Sequence, residues 1–163
     1  MPQITLILHN IRSTHNVGSI FRTAEGFGVR KIIISGYTPY PTLAVDSRLP
    51  HISQKITKQI HKTALGAEAM VPFEQYDLLE TWLDANTLPL IALEQSSSST
   101  ALQDYKPDTD IALLLGEEVN GIEQKYVDLC EKTLEIPMHG KKESFNVSVA
   151  CGIALYALRL ADY

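Results

Sequence analysis

Apolar residues recur along this chain with two periods, and the switches between them mark its elements. Ile4–His9 is a short run rich in branched apolar residues, too short for a helix, and reads as a buried strand running into the polar loop His9–Asn16. Val17, Ile20, Phe21, Ala24 and Phe27 fall on one core-facing stripe, which predicts a helix from Val17 to about Phe27, capped by Asn16 and stopped at Gly28. Arg22 lies just off that stripe. Lys31–Ser35 is the next strand, and the prolines of Gly36–Pro41 keep the loop after it extended. Strand, helix and strand in this order form a βαβ unit and imply a parallel pair. Over residues 50–64, Ile52, Ile56 and Ile60 recur at fourfold spacing with Lys55, Lys58, His61 and Lys62 on other faces, which predicts a basic amphipathic helix.

Further along, Met70–Phe73 reads as a short strand, Asp77–Asn86 as a helix carrying Trp82, and Pro89–Leu93 as a strand. Gln95–Thr100 (QSSSST) is a flexible loop. Ile111–Leu115 is a continuous apolar run, as expected of a central parallel strand. The loop Gly116–Gly121, a helix from about Ile122 to Cys130 and a last strand Thr133–Ile136 follow. Pro137 and the polar loop His139–Ser144 then lead into a helix from Val147 to about Ala161 that is apolar on almost every side. No repeat or domain boundary interrupts the pattern, so residues 1–163 are expected to form one α/β domain.

Composition narrows the class. The chain has 163 residues, 45% hydrophobic and 20% charged, which excludes a disordered chain. No signal peptide or transmembrane helix is expected. Cys130 and Cys151 read as buried, reduced thiols of a cytosolic protein. Asn146-Val-Ser148 matches a glycosylation sequon by chance. The net charge of −5 is unevenly distributed: residues 1–62 hold eight Lys/Arg against two acids, and residues 63–163 hold six against seventeen. This polarity suggests a basic N-terminal face for phosphates, the alternative being that the cations scatter once the chain folds.

Three strands end in loops of unusual composition: His9–Gly18, Gly116–Gly121 and Pro137–Asn146. In an α/β sheet such loops converge beyond the carboxyl ends of the strands. Gly116 and Gly121 let backbone approach a ligand, and Ser144 and Asn146 stand at a helix N-terminus, an arrangement suited to a nucleoside-type cofactor. Gly121-Ile122-Glu123 stands where a Walker loop requires Gly-Lys-Ser/Thr, and no G-x-G-x-x-G, nucleophile elbow or zinc ligand set occurs.

The segments Asn16-x-Gly18-x-x-x-Arg22-Thr23-Ala24 with Phe27-Gly28, Leu115-Gly116-x-Glu118-x-x-Gly121, and Ile136-Pro137-Met138 with Ser144-x-Asn146-Val147-Ser148-x-Ala150 and Tyr156 resemble, in order and separation, the three motifs of the SpoU (TrmH-type) branch of the SPOUT RNA ribose methyltransferases. The resemblance covers nearly the whole chain. It implies a parallel sheet with helices on both faces, a C-terminal trefoil knot, a homodimer, and methyl transfer from S-adenosylmethionine to an RNA ribose 2′-hydroxyl, with S-adenosylhomocysteine as product. It further implies that Gly116, Glu118, Gly121, Ile136, Met138, Ser144, Phe145 and Asn146 hold the cofactor, and that Arg22 is the catalytic residue. A guanidinium is a reluctant base, so Arg22 is expected to hold a phosphate and stabilise the developing alkoxide, while Asn16 and Ser144 or Asn146 orient the hydroxyl. The donor is already a sulfonium cation, so no metal is expected. Phe145 departs from the family's usual Leu, and no separate RNA-binding domain is expected.

The apolar helix that begins at Val147 calls for a second subunit as its cover, which agrees with the implied homodimer and would bring one subunit's Arg22 toward the other's cofactor. Resemblance to small relatives favours transfer over ribosomal RNA, and the reduced cysteines with no expected secretion signal favour the cytoplasm as the compartment. The rival reading is a non-catalytic SpoU-like module that binds cofactor or RNA within a partner complex, and a base-methylating SPOUT relative is the third.

Overall fold

The two apolar runs Ile4–His9 and Ile111–Leu115 become neighbours at the centre of a seven-stranded sheet, because strands buried on both faces belong where both faces are covered. In the computed structural model, which describes residues 1–160, the elements are β1 (Ile4–His9), α1 (Thr14–Gly26), β2 (Lys31–Ser35), α2 (Pro50–Ala64), β3 (Phe73–Tyr76), α3 (Leu79–Leu83), β4 (Leu90–Leu93), β5 (Thr100–Ala101), β6 (Ile111–Leu115), α4 (Gln124–Val127), β7 (Lys132–Glu135) and α5 (Val147–Leu160). The sheet order is β3-β2-β1-β6-β4-β7-β5, and all the strand pairings that build it among the described residues are parallel.

Side chains alternate across the sheet and build one core on each face. Leu6, Leu8, Ile32, Ile34, Leu113 and Leu115 pack beneath α1, α2 and α5, against Ile20, Phe21, Ile60 and Leu155. Ile7, Ile33, Ala112 and Leu114 face the other way, toward Leu79 and Trp82 of α3 and Tyr126 of α4. Each large side chain buried here contributes about 1.5–3 kcal/mol. Gly18 lets α1 and α2 touch, since a Cβ there would collide with the Ile60 carbonyl and the Thr63 hydroxyl. Arg159, a polar point on an apolar helix, is buried and donates to the carbonyls of Phe27, Gly28 and Pro2, closing the C-terminus of α1.

The structure moves several sequence-predicted boundaries. Ser13, not Asn16, caps α1: its hydroxyl accepts the Asn16 N–H at 3.2 Å, so the helix starts at Thr14 and the Asn16 side chain is free for other work. β3 begins where Met70–Phe73 was expected to end, because Leu65 and Gly66 close α2 in left-handed conformation and Ala67–Ala69 form a 3-10 turn. α3 is shorter than Asp77–Asn86, since the Asn86 side chain bonds both polar groups of Leu88 in a competing turn. α4 is likewise cut to Gln124–Val127, with Ile122 and Glu123 left outside it. β7 lies one residue earlier than predicted, and β5 was not foreseen. Cys151 is buried as expected, and desolvation pushes its thiol up to about 12, but Cys130 is only half-buried. The predicted helix end at Ala161 lies outside the described residues. No helix among the described residues is long and apolar enough to cross a membrane.

Candidate functional site

The loops after β1, β6 and β7 meet at one end of the sheet, joined by side chains. Glu118, from the loop after β6, reaches the start of α1 and accepts the N–H groups of Arg12 (3.1 Å) and Ser13 (3.3 Å) and the side-chain amide of Asn16 (3.2 Å). Asn16 in turn accepts from the Asn146 amide at 3.1 Å. Asn146 uses its own oxygen to cap α5, taking the N–H (2.9 Å) and hydroxyl (2.6 Å) of Ser148. Glu118, Asn16 and Asn146 thus form one relay across residues more than a hundred positions apart. Partial burial opposes ionisation of Glu118, but the donors from Arg12, its own N–H, Asn16 and Ser13 outweigh it and hold the carboxyl below its ordinary pKa.

Beside the relay lies a cleft with about 850 Å³ of empty space, counted to its open mouth. The ends of β4, β6 and β7 and the first turns of α5 form its walls. Leu93, Leu134, Ile136, Val147 and Ala150 supply an apolar side, and the loop Gly116–Gly121 supplies backbone. A Cβ on Gly116 would strike the Gly121 backbone at 2.6 Å, so that loop closes only over glycine. The cleft is strongly acidic: Glu94, Glu117, Glu118 and Glu135 line it and, among the described residues, no Lys, Arg or His does.

Of the residues expected to hold a cofactor, Gly116, Glu118, Gly121, Ile136, Ser144 and Phe145 line this cleft, whereas Met138 and Asn146 stand outside its lining. Asn16 belongs to the relay, and Arg22 lies exposed on α1, also outside the lining. Three carboxylates of the cleft, Glu94, Glu117 and Glu135, were not singled out from the sequence. Glu94, one residue past β4, accepts the Ile122 N–H at 2.9 Å and the Gln95 N–H at 2.9 Å, packing against Gly121. Glu117 accepts the Asn120 N–H at 2.6 Å and turns its own loop. The available signal was position, since Glu94 and Glu117 fall one and two residues past the apolar strands β4 and β6 and Glu135 is the last residue of β7, all at the ligand-binding edge of the sheet.

The N-terminal positive charge is half neutralised by folding. Arg12, Arg30, Lys31 and Arg48 pair with Glu117, Asp110, Glu74 and Asp46. Arg22 and the α2 residues Lys55, Lys58 and Lys62 are exposed, with no carboxylate within 4 Å among the described residues.

A family model described as the SpoU rRNA Methylase family matches residues 3–156. The 23S rRNA (guanosine-2′-O-)-methyltransferase RlmB of Coxiella burnetii is 32% identical over 161 residues, covering 97% of this chain and 58% of that protein. An AdoMet-bound rRNA methyltransferase from Sinorhizobium meliloti superposes with a TM-score of 0.80 at 22% identity, covering 97% of this chain and 56% of that one. A structure described as giving insights into the 2-OH methylation of C/U34 on tRNA superposes with a TM-score of 0.75 at 22% identity, covering 99% of this chain and 91% of that one. The chain therefore spans a little over half the length of the RlmB and S. meliloti proteins.

Proposed function

This chain belongs to the SpoU rRNA methylase family, and from that premise we propose that it transfers a methyl group from S-adenosylmethionine to a ribose 2′-hydroxyl of structured RNA. The observation that carries the reading is the Glu118–Asn16–Asn146 relay, which ties all three motif loops to one edge of the acidic cleft.

The cleft fits the cofactor. Apolar walls at Leu93, Leu134 and Ile136 suit an adenine, the glycine loop Gly116–Gly121 allows backbone to reach it, and the carboxylates complement a sulfonium and an ammonium. When bound, the cofactor supplies the methyl group. Gly116, Gly121, Ile136, Ser144 and Phe145 hold it, with Met138 and Asn146 closing the ends of the same loop. Asn16 and Asn146, each fixed by the relay, orient the 2′-hydroxyl, with Ser144 beside them. Arg22 holds the neighbouring phosphate and stabilises charge developing on the oxygen.

The outward face of α5 carries Val149 (49% exposed) and Tyr156 (56%) beside half-buried Ile153, an apolar strip that supports a homodimer through this helix. With Arg22 outside its own cleft, the second subunit is the natural recipient of that guanidinium. The register supports a trefoil knot: Leu93 and Thr100 flank the same residue, Leu134, so segment 94–99 arches over the end of β7 where the chain must leave the sheet. Transfer RNA is the substrate we favour, since the structure described for tRNA C/U34 methylation is matched over 91% of its length. We take residues 1–163 as one methyltransferase domain.

The test is incubation with methyl-labelled cofactor and unmodified transfer and ribosomal RNA, followed by digestion to nucleosides. Label in a 2′-O-methylated nucleoside is expected. Cofactor binding without any label rejects the reading in favour of a non-catalytic module.

RNA contact is assigned to Lys55, Lys58 and Lys62 of α2, three exposed cations on one helix with no carboxylate within 4 Å among the described residues. Replacing all three by glutamine is expected to weaken RNA binding by about tenfold or more and to lower the salt slope by about 2–3. Filter binding over a salt series reads both, and an unchanged slope removes α2 from the RNA interface.

A further inference from the structure

We propose that Tyr37 and Arg12 form a seat for the nucleobase of the target nucleotide, with the Tyr37 ring as the face it stacks on and Arg12 as the polar edge. The inference rests on the RNA methyltransferase reading and adds to it the residues that read the base.

Tyr37 is 54% exposed, yet its backbone is tied down. Its N–H donates to the Asn10 side-chain oxygen at 3.2 Å. The next residue, Thr38, is buried, and its hydroxyl accepts the Ile11 N–H (3.0 Å) and donates to the Leu8 carbonyl (3.1 Å). Gly36 precedes it at φ +65°, where a Cβ would run into Asn10. The first turn after β2 is therefore stapled to the loop after β1, immediately upstream of Arg12. An exposed aromatic on fixed backbone makes a stacking platform that loses little entropy on binding.

Arg12 is fixed as well. Its N–H belongs to Glu118, and its Nη2 stands 3.2 Å from Glu117 Oε1. The Glu117 side chain is only 7% exposed, and this oxygen makes no hydrogen bond: the guanidinium sits at ion-pair distance but out of hydrogen-bonding line. Swinging Arg12 toward a distant phosphate would strand a desolvated carboxylate, which is costly. Arg12 is thus a poor mobile phosphate clamp and a good fixed edge, with guanidinium donors left over for acceptors in the plane of a base. The Tyr37 hydroxyl and the Glu117 charge also raise its pKa, keeping it ionised. One turn further on, Asn16 enters the relay, so the seat for the base adjoins the groups that orient the ribose hydroxyl.

The test compares Tyr37→Ala and Tyr37→Phe with wild type for RNA KM, kcat and cofactor affinity on the RNA that wild type methylates, with thermal melting as a check on folding. Tyr37→Ala is expected to raise the RNA KM by about ten- to one-hundred-fold with unchanged cofactor affinity, whereas Tyr37→Phe, which keeps the ring, stays close to wild type. An unchanged KM in Tyr37→Ala, or an equal loss in both variants, overturns the base seat while leaving the methyltransferase reading intact. Wild type that binds cofactor but neither binds nor methylates RNA overturns both.

Discussion

Replacing Arg22 by alanine is expected to slow the single-turnover methyl transfer by about 10²–10³-fold, the cost of removing one preorganised donor from a developing oxyanion. Lysine at the same position should recover only part of that loss. A guanidinium can span phosphate and alkoxide oxygens with two parallel N–H donors, whereas an ammonium acts as a point charge. The fold should not register either change. Arg22 is exposed, meets no carboxylate within 4 Å among the described residues, and lies off the buried stripe Val17, Ile20, Phe21 and Ala24. Its contribution to stability is therefore of the order of a surface residue, within about 0.5 kcal/mol. Cofactor affinity should also hold, because the partners proposed for Arg22 are the RNA phosphate and the 2′-oxygen rather than the cofactor. A chase with saturating RNA separates chemistry from binding. A wild-type rate in Arg22→Ala would remove the residue from the mechanism, and a wild-type rate in Arg22→Lys would reject the bidentate role alone.

The elements legible in the sequence are those whose pattern is long or unbroken. Ile4–His9, Lys31–Ser35, Ile111–Leu115 and the helix over 50–64 keep the boundaries that the apolar pattern predicts. α3, α4, β3 and β5 are too short to show a period, and partners elsewhere decide their limits. Asn86 turns back on Leu88, the Ile122 N–H goes to Glu94, and Phe73 pairs with Ile32. The motif loops could be named from composition, but their connection could not. Asn16 has the residue type and position of a helix cap, and only the structure gives that task to Ser13 and turns Asn16 toward Glu118 and Asn146. The same limit hid Glu94 and Glu117, whose partners are backbone N–H groups fixed by the fold. Charge polarity along the chain overstated the basic face, because folding brings Glu74, Asp110 and Glu117 of the acidic part onto Lys31, Arg30 and Arg12.

Mixing two variants that are each inactive at limiting cofactor should restore activity under the same conditions if the site is shared between subunits. Gly116→Val is the second variant to pair with Arg22→Ala. A Cβ on Gly116 would lie 2.6 Å from the Gly121 carbonyl carbon, 2.7 Å from its oxygen and 2.6 Å from Ile122 Cγ1, and backbone cannot yield as a flexible side chain can. Overpacking of this kind costs about 1–3 kcal/mol, and here the cost falls on the loop that walls the cleft, so cofactor affinity should drop by about ten- to one-hundred-fold. The Gly116→Val subunit keeps a sound Arg22, and the Arg22→Ala subunit keeps a sound cleft. In a two-fold dimer in which Arg22 serves the partner, a mixed dimer has one complete site and one doubly defective site. Random exchange makes half the dimers mixed, so about a quarter of wild-type activity should return. If Arg22 serves its own subunit, both sites of the mixed dimer lack a part and nothing returns. Exchange is checked by recovering both chains through a tag on one of them, so absence of activity in verified mixed dimers would confine Arg22 to its own chain and leave the α5 interface a purely structural role.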